Sequence, residues 1–204
     1  IGITPDLTTL AKILAGGFPG GAIVGKSEIM EGLSFAAPGS AREKIPHHGT
    51  FNANPVSAAA GIAALTIVAE TDACEQANRY GEQLRDALRD VLVQEDVPWL
   101  VTGSYSGFHI LTGLPEPGAT HLDVESGKYS PLKLKSLRNA QLVTQLRLAS
   151  LCAGVDFFGW PGGPTSAVHT EADLSRTAEG FATALRRMKQ AGLIEGSVAA
   201  SAAN

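Results

Sequence analysis

Apolar and polar positions change character along the chain. Residues 1–55 are irregular and rich in glycine, with short apolar runs at Leu10-Ala11-Lys12-Ile13-Leu14 and Ala22-Ile23-Val24. Runs of this length bounded by glycine suit buried strands, although periodicity alone does not separate strand from helix there. Ser27 is placed to cap a short helix through Leu33. Residues 34–49 combine Pro38, Gly39, Ser40, Arg42, Glu43, Lys44 and Pro46. They predict a mobile loop of the kind that often lies over a site.

At Asn54 the pattern turns helical. Asn54-Pro55 is a cap followed by proline at the first helical position. Val56 to Ala69 is dense in alanine with Ile62, Leu65, Ile67 and Val68, and so little charge predicts a helix buried on most sides. A second helix is expected over residues 72–94, with Leu84, Leu88, Val91 and Leu92 on one face. Val97 to Gly103 and Phe108 to Thr112 read as strands joined by the turn Gly103-Ser104-Tyr105-Ser106-Gly107. A loop from Leu114 to Pro131, a helix over residues 135–153 and a strand at Val155 to Phe158 follow. A last helix over residues 171–191, capped by Thr170, carries Leu174, Phe181, Leu185 and Met188 on one side. Ser197 to Asn204 are small and uncharged and are expected to fray. This alternation is that of an α/β or α+β layer arrangement, with a boundary near residues 70–73. The N-terminus shows no Met and no signal-peptide pattern, which reads as a piece of a longer polypeptide.

Composition narrows the function. The 204 residues carry 16 Lys+Arg and 20 Asp+Glu, a net charge of −4, which argues against a protein that wraps a nucleic-acid backbone. The apolar runs stop well short of the ~20 residues that span a bilayer. Two cysteines, Cys74 and Cys152, make no disulfide framework and suggest a reducing, cytoplasmic setting. His47 and His48 are adjacent, while His109, His121 and His169 are scattered. No metal-binding spacing results, and none is expected.

Two lysines invite a chemical reading. Gly20-Gly21-Ala22-Ile23-Val24-Gly25-Lys26-Ser27 satisfies the G-x-x-x-x-G-K-[ST] pattern of a phosphate-binding loop. Its variable positions, however, look like a strand, and Gly16-Gly17-Phe18-Pro19 precedes it in place of one. A strand running into a helix, with Lys26 on the surface, is the simpler reading. Lys12 has no other charge within five residues on either side. An apolar wall would disfavour its ammonium form and make available the neutral amine that a Schiff base requires. The competing reading is a lysine snorkelling from the edge of a core.

The run Thr4-Pro5-Asp6-Leu7-Thr8-Thr9-Leu10-Ala11-Lys12-Ile13-Leu14-Ala15-Gly16-Gly17-Phe18-Pro19-Gly20-Gly21-Ala22 resembles the cofactor-lysine segment of class III aminotransferases. It is most similar to the glutamate-1-semialdehyde 2,1-aminomutase branch. His48-Gly49-Thr50-Phe51-Asn52-Ala53-Asn54-Pro55 resembles the family segment in which a threonine reaches the cofactor phosphate of the neighbouring subunit. Val168-His169-Thr170-Glu171-Ala172-Asp173-Leu174 is similar to the start of the family's last helix.

The resemblance implies the C-terminal part of a fold-type I, pyridoxal 5′-phosphate-dependent transferase. Residues 1–72 would end the large cofactor domain, and residues 73–204 would form a small α+β domain. Lys12 would carry the cofactor as a Schiff base and shuttle a proton, and Gly49 and Thr50 would contact the phosphate across a homodimer interface. The substrate would be a small amino acid or amine. The glycines at 16–21 would let the backbone pass close to a flat ring. The family's phosphate cup and the aspartate that pairs with the pyridine nitrogen lie upstream of this segment, and Asp6 is not that aspartate. The aminomutase branch also places a glutamate near the substrate where this chain has Pro161, which leaves room for a transaminase acting on a β-amino acid or another amine. A nucleotide-binding protein working through Lys26, and a non-catalytic dimerisation or folding unit, stand as alternatives.

Overall fold

The computed structural model describes residues 2–35 and 44–195. Residues 36–43 of the expected loop over 34–49, and the whole of the expected tail, therefore lie outside the described residues. The chain divides into two compact units, Ile1–Thr71 and Asp72–Asn204.

In the first unit, β1 (Leu7–Leu10) pairs antiparallel with β2 (Ala22–Gly25), placing Leu7 opposite Gly25 and Leu10 opposite Ala22. The first apolar run thus divides. Its start belongs to β1, and Lys12–Ala15 forms a 3-10 turn. After β2 come α1 (Ser27–Met30) and a 3-10 turn, Glu31–Leu33. Lys26 stands at the cap position and Ser27 is the first helical residue, one place from the expected cap.

Helix α2 (Pro55–Glu70) starts where Asn54 directs it. The Asn54 side chain accepts from the amides of Val56 and Ser57, and Pro55 needs no amide partner at the first position. The expectation of a helix buried on most sides is not met. Within α2 only Gly61 is buried, and Ile62 is 68% exposed. The reason is its neighbourhood. Among the described elements of this unit, α2 packs closely on the Lys12–Ala15 turn alone.

The second unit has an ordinary core. Helix α3 (Ala73–Gln94) buries Leu84, Leu88, Val91 and Leu92, and α7 (Glu171–Gln190) buries Phe181, Leu185 and Met188. The two helices pack on each other, and α7 also packs on α6 (Ala140–Leu151), which contributes Leu146. Fully buried side chains of this size contribute about 1.5–3 kcal/mol each. Strands β3 (Leu100–Thr102), β4 (Gly107–Leu111) and β5 (Gly162–Pro164) form an antiparallel sheet in that order. Phe157 meets Phe108 of the sheet and Phe181 of α7 edge-on, both at 5.9 Å between centroids.

Three expectations change here. The helix over 135–153 is two helices, α5 (Pro131–Ser136) and α6. Asn139 adopts an extended backbone and accepts from the Leu142 amide at 3.0 Å, so a new cap interrupts the run. The strand expected at Val155 to Phe158 is irregular, and Gly162–Pro164 pairs with β4 in its place. A Cβ at position 162 would lie 2.4 Å from the Phe108 carbonyl oxygen, so glycine permits that pairing. The loop from 114 to 131 contains α4 (His121–Glu125), started by a Thr120–Asp123 capping box.

Candidate active site around Lys12

Lys12 follows the end of β1. Ala11 is fully extended (φ −156°, ψ −163°), and Lys12 then turns into the left-handed region with φ 61°. A non-glycine residue there is uncommon and strained, and such strain gathers at functional positions. The turn is closed by amide bonds from Leu14 to Ala11 O (3.4 Å), Gly16 to Ile13 O (2.9 Å) and Phe18 to Ala15 O (3.0 Å). Lys12 is exposed, as are Ala11 and Ile13. The expected apolar shelter is therefore not supplied by the described residues of this unit. The uncharged run lies along an outer turn, and only Ala15 within it is buried.

The second segment forms a compact turn ahead of α2. The Asn52 amide donates to Gly49 O at 3.0 Å, the Asn52 side chain donates to His47 O at 3.3 Å, and the Asn54 amide donates to Phe51 O at 3.2 Å. Gly49 and Thr50 are both exposed at its start. A Cβ on Gly49 would come within 2.5 Å of Asn52 Oδ1, so the turn closes over a missing side chain.

A cleft of about 560 Å³ opens in this unit. Its lining includes Leu14 and Ala15, Gly20 and Gly21, His47, Phe51 to Asn54, and Ser57 and Gly61 of α2. The cleft thus joins the flanks of the two sequence segments, while Lys12, Gly49 and Thr50 lie outside its lining. Asn52, Asn54 and Ser57 join the lining beyond the residues that the sequence marks as candidates. Asn52 follows the threonine, Asn54 is the cap of α2 and Ser57 lies in its first turn, so position beside the threonine segment is the signal for them. Three of the glycines at 16–21 also serve the packing of the chain. A Cβ on Gly16, Gly20 or Gly21 would meet Ala60, Ala15 or the Leu10 carbonyl, all in the chain itself.

Lys26 has a structural partner. Its Nζ lies 2.6 Å from Asp6 Oδ1, and its amide donates to Asp6 O at 3.0 Å. Ala22–Gly25 is paired strand and not an open loop of free amides, so the phosphate-loop pattern has no cradle. Among the described residues no group of three or more His, Cys, Asp or Glu is arranged to hold a metal ion. Among the described residues no single helix is long and apolar enough to cross a membrane.

In the second unit, burial and then the Arg138 charge push the His109 imidazole below its usual 6.5. Its ring lies 5.7 Å from Trp160. Pro161, beside it, is buried and accepts the Ile110 amide at 2.7 Å. His169 stacks on Tyr80 at 4.9 Å, and its Nδ1 accepts the Ser166 amide.

A family model described as aminotransferase class-III matches residues 1–119. The chain belongs to the class III aminotransferases. It is 34% identical over 187 residues to glutamate-1-semialdehyde 2,1-aminomutase of Methanopyrus kandleri, covering 92% of this chain and 40% of that one. Among solved structures it is similar to an omega-transaminase from Sphaerobacter thermophilus (TM-score 0.71, 31% identity, 92% of this chain and 40% of that one). A transaminase with PLP bound is also similar (TM-score 0.72, 27% identity, 94% and 40%). The chain thus spans about two fifths of the length of these relatives. Its mixed α/β architecture is that of part of this PLP-dependent transferase fold.

Proposed function

We propose that this class III aminotransferase chain takes part in pyridoxal 5′-phosphate-dependent amino-group transfer, with Lys12 as the lysine that holds the cofactor. The observation that carries this reading is the exposed Lys12 amine on a left-handed backbone, within the family segment. The residues present suit the group chemically. A primary amine can condense with an aldehyde, and the Thr50 hydroxyl beside the Gly49 backbone is a donor set fit for a phosphate. When bound, the cofactor supplies an electron sink for the carbon that loses its proton. Lys12 Nζ would hold the cofactor, then accept and return that proton. Gly49 and Thr50 would bind phosphate in the partner subunit of a homodimer. The exposed apolar side chains of α2, Ile62, Leu65 and Ile67 among them, support burial against further protein. The first unit would end the cofactor domain and the second would be the small domain. Cys74 and Cys152, both free, suit a cytoplasmic enzyme.

The test is covalent. The chain is incubated with pyridoxal 5′-phosphate, reduced with borohydride and mapped by mass spectrometry. The added mass belongs at Lys12 and is lost in Lys12→Ala; label spread evenly over the lysines, or absent from Lys12, overturns the assignment. A transaminase of a β-amino acid or other amine is the second reading, favoured over a mutase by Pro161. Its carbonyl is held in the sheet and its side chain offers no carboxylate. Product analysis separates them, since a mutase needs no second substrate.

A further inference from the structure

The turn that begins at Lys12 meets α2 at two points where backbone approaches backbone. A Cβ on Gly16 would lie 2.5 Å from Ala60 O, and a Cβ on Gly61 would lie 2.7 Å from Leu14 O. Cβ atoms essentially never come closer than 3.0 Å to such neighbours, so neither position accepts a larger residue without the turn lifting from the helix. Gly61 lies in the interior of an alanine-rich helix, where glycine is unfavourable relative to alanine. Its use there needs a compensating reason. The close approach of Leu14 supplies one.

Lys12 presents the matching problem from the other side. Its left-handed backbone is unfavourable for a side chain and persists only where the surroundings over-determine it. The residues next along the chain are the ones clamped: Leu14 under Gly61, Gly16 under Ala60, and Ala15, the buried member of the turn. We infer that Gly61 and Gly16 are positioning residues for Lys12. They interlock with Leu14 and Ala60, seat the turn flush on α2, and thereby hold the strained residue from which the amine extends. Because α2 begins at Asn54, the same helix ties the turn ahead of it, with Gly49 and Thr50, to the Lys12 turn. What the amine does rests on the function proposed above; what holds it rests on the contacts alone.

The test compares Gly61→Ala with Gly81→Ala, a control in the second unit whose Cβ would lie 2.6 Å from Tyr105 O. Two quantities are read: the ratio of borohydride-fixed pyridoxal phosphate at Lys12 to that at Lys26, and amide exchange at Gly16 and Phe18. Gly61→Ala is expected to lower the ratio roughly tenfold, less than the ~100-fold that a full ångström of misplacement costs a positioned group. It also speeds exchange at the two turn amides relative to those of β1. Gly81→Ala lowers the unfolding midpoint and leaves both readouts alone. A folded Gly61→Ala chain with unchanged ratio and exchange overturns the inference. Should that variant fail to fold, Gly20→Ala displaces the same turn without altering α2, since its Cβ would meet the Ala15 methyl at 2.6 Å, and an unchanged ratio there overturns it equally. Absence of label at Lys12 in the parent chain removes the assigned role of that lysine, and exchange at Gly16 and Phe18 then decides the interlock by itself.

Discussion

Arg85 offers the sharpest test of how the second unit is held together. It is only 8% exposed, and its Nη1 donates to the carbonyls of Tyr105 and Gly107, each at 2.8 Å. Those carbonyls belong to the turn joining β3 to β4 and to the first residue of β4. Replacing Arg85 with methionine keeps much of the stem's packing and removes both bonds. A hydrogen bond to a charged donor contributes about 1.5–3 kcal/mol net. Two such bonds, taken at the lower figure because removing the charge also removes a desolvation cost, give a loss of about 3 kcal/mol. Arg85→Lys keeps the charge and, with its single ammonium, recovers about half of that. The assay is urea unfolding followed by tryptophan fluorescence. Trp99 and Trp160 both lie in this unit, so the signal reports it and not the first. A methionine variant within about 1 kcal/mol of the parent would refute the role assigned to the guanidinium.

Ser150 is fully buried and its hydroxyl has no hydrogen-bond partner among the described residues, so Ser150→Ala should stabilise the second unit by about 1 kcal/mol in the same urea assay; a loss of stability would show that the hydroxyl is satisfied. Thr170 accepts the Asp173 amide while Asp173 returns to the Thr170 amide at 2.8 Å, and Thr170→Ala should cost about 1 kcal/mol by thermal or urea unfolding. His109 titrates below 6.5 in the folded chain because burial and Arg138 disfavour its charged form. The unfolded chain therefore takes up the proton first, and stability falls as pH drops through and below 6.5 until the folded imidazole also protonates. His109→Gln should flatten that part of a midpoint-against-pH curve, and an identical slope in the variant would contradict the assignment.

Local sequence fixed the elements whose signals are carried by adjacent residues. Asn54-Pro55 starts α2, Thr170 starts α7, and the leucine spacing of α3 marks the face that is buried. Each depends on backbone amides or side chains within a few positions, so no distant partner had to be known. The family was equally legible, because the likeness of the segment around Lys12 to the class III aminotransferases is carried by residue order alone. Tertiary structure decided what those residues face. A run of apolar residues reads the same whether it is covered or not, and α2 and the Lys12 turn turned out to be largely exposed within their unit. Likewise β5 at Gly162–Pro164 could not be read locally, since its strand character comes from pairing with β4 and from the space a glycine leaves beside Phe108. The left-handed backbone of Lys12 belongs to the same class. Nothing in a lysine's own chemistry favours it, and only contacts made between the turn and a helix more than forty residues later can hold it.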